Sequence, residues 1–264
     1  MDRLPDIQLI EPKNGSGVET KAAKIAESVP WPCGTCGVRE AGICRAFLRI
    51  DAPDAGLQNG RLHQDFQKSL PRRNIYDADR ATENVFVVCS GWAFRFVQLP
   101  DGRRQTLSIL LPSDLVSGMA LFARKLRYSV QALTKVTYCR FNRAELMGAI
   151  AARPELLNAL TGIFVDEQER ADEAITDLGR RSASERIARF MIQLMNRLAA
   201  RDMVRDHALD FPLRQQRIAD TVGLTTVHVS RVIGAFRQMG LIELGGGRLK
   251  IHDLAELRRI ADLQ

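Results

Sequence analysis

The sequence predicts an α+β chain: an N-terminal antiparallel β domain, a long amphipathic helix and a C-terminal winged helix-turn-helix. Three observations predict it. Between Asn84 and Phe141, β-branched and aromatic residues alternate, with turns at intervals of about ten residues, the pattern of a sandwich or barrel. After Pro154 the apolar period becomes helical and stays so for more than twenty residues. Between Arg214 and Ile251, cap, turn and hairpin residues follow one another in the order that two helices and a wing require.

The composition permits this architecture. With 264 residues, 45% hydrophobic and 26% charged, the chain can bury a core in more than one domain. Lys and Arg (38) exceed Asp and Glu (31), for a net charge of +7, which attracts a polyanion such as DNA. No window of 18 apolar residues exists, and the N-terminus lacks the basic start and apolar stretch of a secretory signal, so a cytoplasmic protein without membrane contact is expected. In a reducing compartment five cysteines do not build a disulfide framework, and the three near residue 40 point to metal or redox chemistry instead.

Four segments follow in order. Residues 1–30 are rich in Pro, Gly, Lys and Glu and read as a flexible leader. Residues 31–152 hold the cysteine loop, PWPCGTCGVREAGIC, and then the β domain, with strands in VFVVCSGWAFRFVQL, RRQTLSILL and YSVQALTKVTYCRF. Residues 153–181 form the long helix, in which Leu157, Leu160, Phe164, Gln168, Ala171, Ile175 and Leu178 recur at spacings of three and four. That is the seam two parallel helices share in a dimer; a long helix buried within one subunit gives a similar stripe. Residues 182–264 hold a helix from about Ala183 to Ala200, a loop, and the helix-turn-helix with its wing.

In the last segment, Gln215 to Val222 makes a short helix, Gly223 the turn, and Thr225 the N-cap of the next helix. Val229, Val232, Ile233 and Phe236 fall at i, i+3, i+4 and i+7 and must pack inward. The opposite face then carries Thr226, Val227, His228, Ser230 and Arg231. A polar N-terminal half with an arginine suits a recognition helix, because arginine donates two hydrogen bonds to guanine in the major groove. Gly240 stops the helix, and LIELGGGRLKI reads as a hairpin wing with Arg248 near the DNA phosphates.

On these residues, together with the segment around Cys89, Ser90 and Gly91, the turn Leu110 to Asp114, SASERIARF and IADTVGLTTVHVSRVI, the chain resembles the Crp/Fnr superfamily of transcription regulators. The resemblance implies a β-roll sensor domain of the cyclic-nucleotide-binding type, a dimerisation helix, and a winged helix that binds two-fold symmetric promoter DNA, with RNA polymerase as a further partner. Members that bind cyclic nucleotide share a Gly-Glu pair and an Arg-Ser or Arg-Thr pair; here stand Gly118-Met119 and Arg127-Tyr128, so cyclic nucleotide is not expected.

The cysteines resemble the oxygen-sensing Fnr branch. Cys33, Cys36 and Cys44 stand as C-x2-C-x7-C, and Cys139 occupies the place of that branch's fourth ligand. The implied cofactor is a four-iron, four-sulfur cluster that oxygen dismantles, with the homodimer forming when the cluster is intact. Structural zinc, free thiols, and a same-fold regulator of nitric oxide or thiol redox state are the alternatives; zinc ribbons usually pair two knuckles, and the third and fourth cysteines here are single. Cys89, on a strand with Val85 and Val87, reads as a buried structural thiol. An enzyme using Cys33 and Cys36 as a redox dithiol would need a βαβ unit and a substrate pocket, neither of which is legible, so no enzyme is expected. In the seam helix, Glu155, Asp166, Glu167, Glu169, Asp172, Glu173 and Asp177 face only Arg170, a balance expected to make the dimer marginal by repulsion or to form a solvated face. Relatives usually place Glu three residues before the recognition serine, where this chain has Val227; the implied TTGAT-like half-site is altered there.

Overall fold

The computed structural model describes residues 33, 36–48 and 64–262; the leader over 1–30 lies outside them. The chain divides into two units, Met1–Cys36 and Gly37–Gln264. In the first, the described residues are Cys33 and Cys36, joined by a hydrogen bond from the Cys36 backbone N–H to the Cys33 carbonyl at 3.2 Å.

The second unit opens with a short helix, α1 (Gly42–Leu48). Seven strands follow: β1 (Asp65–Ser69), β2 (Asn74–Tyr76), β3 (Asn84–Ser90), β4 (Ala93–Gln98), β5 (Arg104–Leu110), β6 (Ser129–Ala132) and β7 (Val136–Asn142). They form two antiparallel sheets, ordered β1-β7-β3 and β2-β6-β4-β5. The inward residues of both sheets, among them Val85, Val87, Cys139, Phe141, Ala93, Leu110 and Val130, make one core. β3 to β7 lie where alternation predicts strands. β1 and β2 were not expected: β1 buries only Ser69 fully and β2 only Tyr76, so neither shows the period of two that reveals a half-buried strand.

Helix α2 (Arg143–Ala152) starts at Asn142, whose side chain accepts from the N–H groups of Ala144 and Glu145, and it buries Leu146, Ala149 and Ile150 beneath the sheets. Helix α3 (Pro154–Arg180) has proline in its first turn and runs for 27 residues, about 40 Å at ~1.5 Å per residue. Only Leu156 and Leu160 on it are fully buried.

Ser182 and Glu185 close a capping box at the start of α4 (Ala183–Ala199), which satisfies two otherwise orphaned N–H groups. Beyond it lie β8 (Ala208–Asp210), α5 (Gln215–Val222), α6 (Thr226–Gln238), β9 (Ile242–Gly245), β10 (Arg248–Ile251) and α7 (Leu254–Ile260). β8 falls in the segment expected to be a loop: Asp206 and His207 both take positive φ, 49° and 57°, and turn the chain back so that β8 pairs with β10 beside β9. The core of this C-terminal part continues across to the sensor domain, because Trp92, Phe94, Phe96, Ile109 and Leu111 of the β4–β5 region pack in the same cluster as Ile187, Met191 and Leu194 of α4 and Ile218 of α5. The β2-β6-β4-β5 sheet therefore lies between two cores.

Candidate nucleic-acid interface and metal centre

The helix-turn-helix forms as its local chemistry demands. Gly223 ends α5 in the left-handed region at φ 65°, ψ 40°, where a side chain is strained. Thr225 caps α6 by accepting from the His228 N–H at 3.3 Å. Val229, Val232, Ile233 and Phe236 are buried, which turns the other side of the helix to solvent: Thr225, Val227, His228, Ser230 and Arg231 are exposed and Thr226 is half-buried. Val227 is 64% exposed. At the tip of the wing, Gly246 and Gly247 have φ 57° and 76°, the pair of positive angles that a tight two-residue hairpin takes. Arg248 and Lys250 stand exposed on β10. All the sequence-predicted DNA residues thus lie on α6, its cap or the wing.

The seam residues of α3 do not share one environment. Leu160 is buried in the sensor core. Phe164 meets Phe122 at 5.8 Å between ring centroids, and its ring would stand 2.5 Å from any Cβ at Gly118. Leu178 approaches the helix-turn-helix, with Cδ2 at 2.5 Å from a Cβ placed at Gly223. Leu157, Gln168, Ala171 and Ile175 are exposed in the single chain, as is Val165, which the seam reading omitted. The acids of the helix are also less unopposed than the sequence suggests. Glu167 pairs with Arg95 at 3.2 Å, Asp177 with Arg189 at 2.9 Å and Arg181 at 3.0 Å, and Glu173 with Arg189 at 3.9 Å. Arg95 and Arg189 lie outside the helix and Arg181 is the residue that follows it, so the charges counted from Glu155 to Leu178 overstated the repulsion.

A side-chain cluster that sequence reasoning missed joins the β domain to the C-terminal part. Asp114, on the turn after β5, accepts from Arg197 of α4 and from Arg201 just past its end, both at 2.5 Å, and from the Leu111 N–H at 2.8 Å. Arg201 also donates to the Pro112 carbonyl at 2.7 Å. The other side of the same turn bears on α1. Gly42 has φ 48°, and a Cβ there would meet the Ser113 carbonyl oxygen at 2.9 Å, so glycine is required both by angle and by space. Ser113 itself is buried with φ 73°. A second contact joins Arg217 of α5 to the sensor: its guanidinium lies 3.7 Å from the centre of the Phe94 ring and pairs with Asp220 at 3.1 Å. Its pKa is lowered, first by burial and then by Arg104 nearby, with Asp220 opposing. The one legible trace of the larger cluster was the i, i+4 spacing of Arg197 and Arg201.

Among the cysteines, Cys33 and Cys36 share the turn described above. Cys44, half-buried on α1, packs against the sensor core that contains Cys139, which is 3% exposed on β7. Among the described residues no group of three or more His, Cys, Asp or Glu side chains is gathered as a metal-binding set. The donor chemistry nonetheless fits an iron-sulfur cluster, with four thiols of which two border an apolar core. Cys89 departs from the expected buried position: a bulge between Val88 and Ser90 breaks the alternation, and the thiol is half-buried. A hydrogen bond from Cys139 holds its pKa below the ordinary thiol value, against the effect of burial.

Between the sensor sheet and α3 lies an open cleft of about 580 Å³, lined in part by Arg95, Tyr128, Phe164 and Glu167. Arg95 is committed there: burial disfavours its charge, but the Glu167 carboxylate and the Tyr128 hydroxyl hold its pKa above the usual arginine value. Gly118 opens a 3-10 helix over Gly118–Leu121, and Arg127 is exposed.

The comparisons with known proteins agree with this layout. The profile of a Crp-like helix-turn-helix domain matches residues 185–260, and that of a cyclic nucleotide-binding domain matches residues 68–153. The chain is similar to the transcriptional activator protein FnrL of Cereibacter sphaeroides, 31% identical over 85% of this chain and 90% of that protein. It is likewise similar to the nitrogen fixation regulation protein FixK of Bradyrhizobium diazoefficiens, 29% identical over 87% of this chain and 93% of that protein. Among solved structures, FixK2 from Bradyrhizobium japonicum superposes with a TM-score of 0.69 at 23% identity, covering 75% of this chain and 98% of the other.

Proposed function

Because the chain belongs to the Crp/Fnr family of DNA-binding transcription regulators, we propose that it binds two-fold symmetric promoter DNA as a homodimer only while Cys33, Cys36, Cys44 and Cys139 hold an intact four-iron, four-sulfur cluster. RNA polymerase is the further partner at those promoters. When bound, the cluster would supply an oxygen-labile link among thiols far apart in sequence.

The observation that carries the conditional part of this reading is the turn 111–114. One side of it receives the start of α1, the helix that bears Cys44, against Ser113. The other side is held through Asp114 by Arg197 and Arg201. A change in how α1 sits would move Ser113, and Asp114 is the next residue. α4 leads in turn to α5 and α6 through a shared core. Coupling of this kind needs a packed element with two arrangements, and the role is assigned here to the buried, left-handed Ser113 seated against Gly42.

DNA recognition rests on α6 and the wing. Arg231 and Ser230 reach base edges, Thr225, Thr226 and His228 border the phosphates, and Arg248 contacts the backbone beyond. Val227 can touch a thymine methyl but cannot accept from cytosine. Two such helices in a homodimer would meet half-sites about 34 Å apart. The exposed residues Leu157, Val165 and Ile175 on α3 supply apolar surface for the second copy. In the sensor cleft, Glu167 already neutralises Arg95, which leaves that guanidinium no unopposed charge for a cyclic phosphate; the signal is read by the cysteines.

Anaerobic purification, followed by iron, sulfide and zinc analysis and visible absorption before and after air, tests the cofactor. Iron and sulfide near four per chain with absorption that bleaches in air support the reading; a colourless protein or stoichiometric zinc overturns it.

A further inference from the structure

Cys89 takes no part in the ligand set just described, yet it packs against the core that contains Cys139. Three features place it there. β3 and β7 pair with Val87 opposite Cys139, and the register shifts between Val88 and Ser90 so that Cys89 is the extra residue, which bends the strand and re-aims the side chain. The Cys89 Sγ lies 3.8 Å from the Val87 carbonyl oxygen, so the side chain folds back along its own strand toward the Val87–Cys139 pair. There the two cysteines border one core, Cys139 inside it and Cys89 at its edge. Cys139 is buried while Cys89 is half-buried, so a small oxidant reaches the outer sulfur and the inner one stands behind it.

We propose that Cys89 and Cys139 are a thiol pair that hydrogen peroxide closes into a disulfide between β3 and β7. The Cys89 sulfur attacks the peroxide, breaking the O–O bond; it becomes a sulfenic acid, its proton leaves to solvent, and the departing hydroxide takes up a proton to become water. The Cys139 sulfur then attacks the sulfenic sulfur, the S–S bond forms, and the hydroxyl departs as water with the thiol proton. Two thiols are oxidised and one peroxide is reduced to two waters. An S–S bond of about 2 Å needs the two side chains to close on one another, and the irregular strand at Cys89 absorbs the approach. The pairing stands on the geometry of the two strands. Its consequence rests on the function proposed above: a Cys139 held in a disulfide is withdrawn from the ligand set, so oxidised protein cannot refill until a reductant reopens the bond.

The test is peptide mapping of the full chain, freed of metal under a reductant, desalted anaerobically and then treated with hydrogen peroxide. After alkylation and tryptic digestion without reduction, residues 81–95 should appear joined to residues 136–140, lighter by two hydrogens than the sum of the free peptides, and a dithiol should restore both. Cys89→Ser and Cys89→Ala should each lose the joined peptide while keeping the iron content of the unmutated protein purified anaerobically. Both cysteines remaining alkylatable after peroxide, or Cys139 joined to Cys33, Cys36 or Cys44 instead, overturns the pair. Colourless protein that still yields the joined peptide overturns the cluster and leaves the pair standing; iron-loaded protein whose metal-free form yields no joined peptide does the reverse.

Discussion

Arg231 and Arg248 are both exposed arginines of the DNA-binding part, but they stand on different surfaces and should fail differently. Arg231→Ala removes a base contact and is expected to cost about 1–3 kcal/mol on the cognate duplex while relaxing sequence preference; Arg248→Ala should weaken cognate and scrambled duplexes alike and reduce the salt slope by about one. Fluorescence anisotropy over a salt series separates the two. Val227→Glu adds a carboxylate that accepts from cytosine N4, so half-site selection should shift toward a C·G pair at the base it faces. These residues were legible in the sequence because caps, turns and helix faces depend on neighbours within four positions. Asp114 and Arg197 were not, since they lie 83 positions apart and no local period connects them. Cys89 was misread for a related reason: a single extra residue in a strand reverses the face, and nothing in VFVVCSGW announces it.

The long helix shows how much a period can and cannot say at the scale of an element. Its stripe correctly marks α3, but the stripe serves its own sensor core at Leu160, the 3-10 helix at Phe164, the helix-turn-helix at Leu178 and open surface at Ile175. Substitutions along it should therefore separate. Leu160→Ala is expected to lower stability by about 2–5 kcal/mol through a cavity, read by denaturant unfolding. Ile175→Glu, at a residue 69% exposed, should leave the fold unchanged and raise the dimer dissociation constant at least tenfold in sedimentation experiments. The strands from β3 to β7 were legible from alternation and turns, whereas β1, β2 and β8 were not. Their short or polar sequences acquire strand geometry only from the neighbours they pair with.

Across the whole molecule, the sensor and the DNA-binding part share both a core and an ionic cluster. The core sets their contact through Phe94, Ile109 and Ile218; the cluster makes one turn answerable to both α1 and α4. Asp114→Ala would take the carboxylate from two arginines that are 20% and 11% exposed, a change expected to cost about 3 kcal/mol. It should lower the thermal midpoint and reduce the dependence of DNA affinity on the state of the cysteines. Gly42→Ala should act from the other side of the turn, impairing the seating of α1 with little effect on α6 itself; hydrogen exchange in α1 compared with α6 reads this directly. Wild-type protein isolated without oxygen provides the most direct test of the central claim, with its affinity for a two-fold symmetric duplex measured before and after exposure to air. The account predicts tight, cooperative binding by a dimer that weakens at least tenfold after air, together with loss of iron. Equal affinity in the two states, with iron lost, would contradict it.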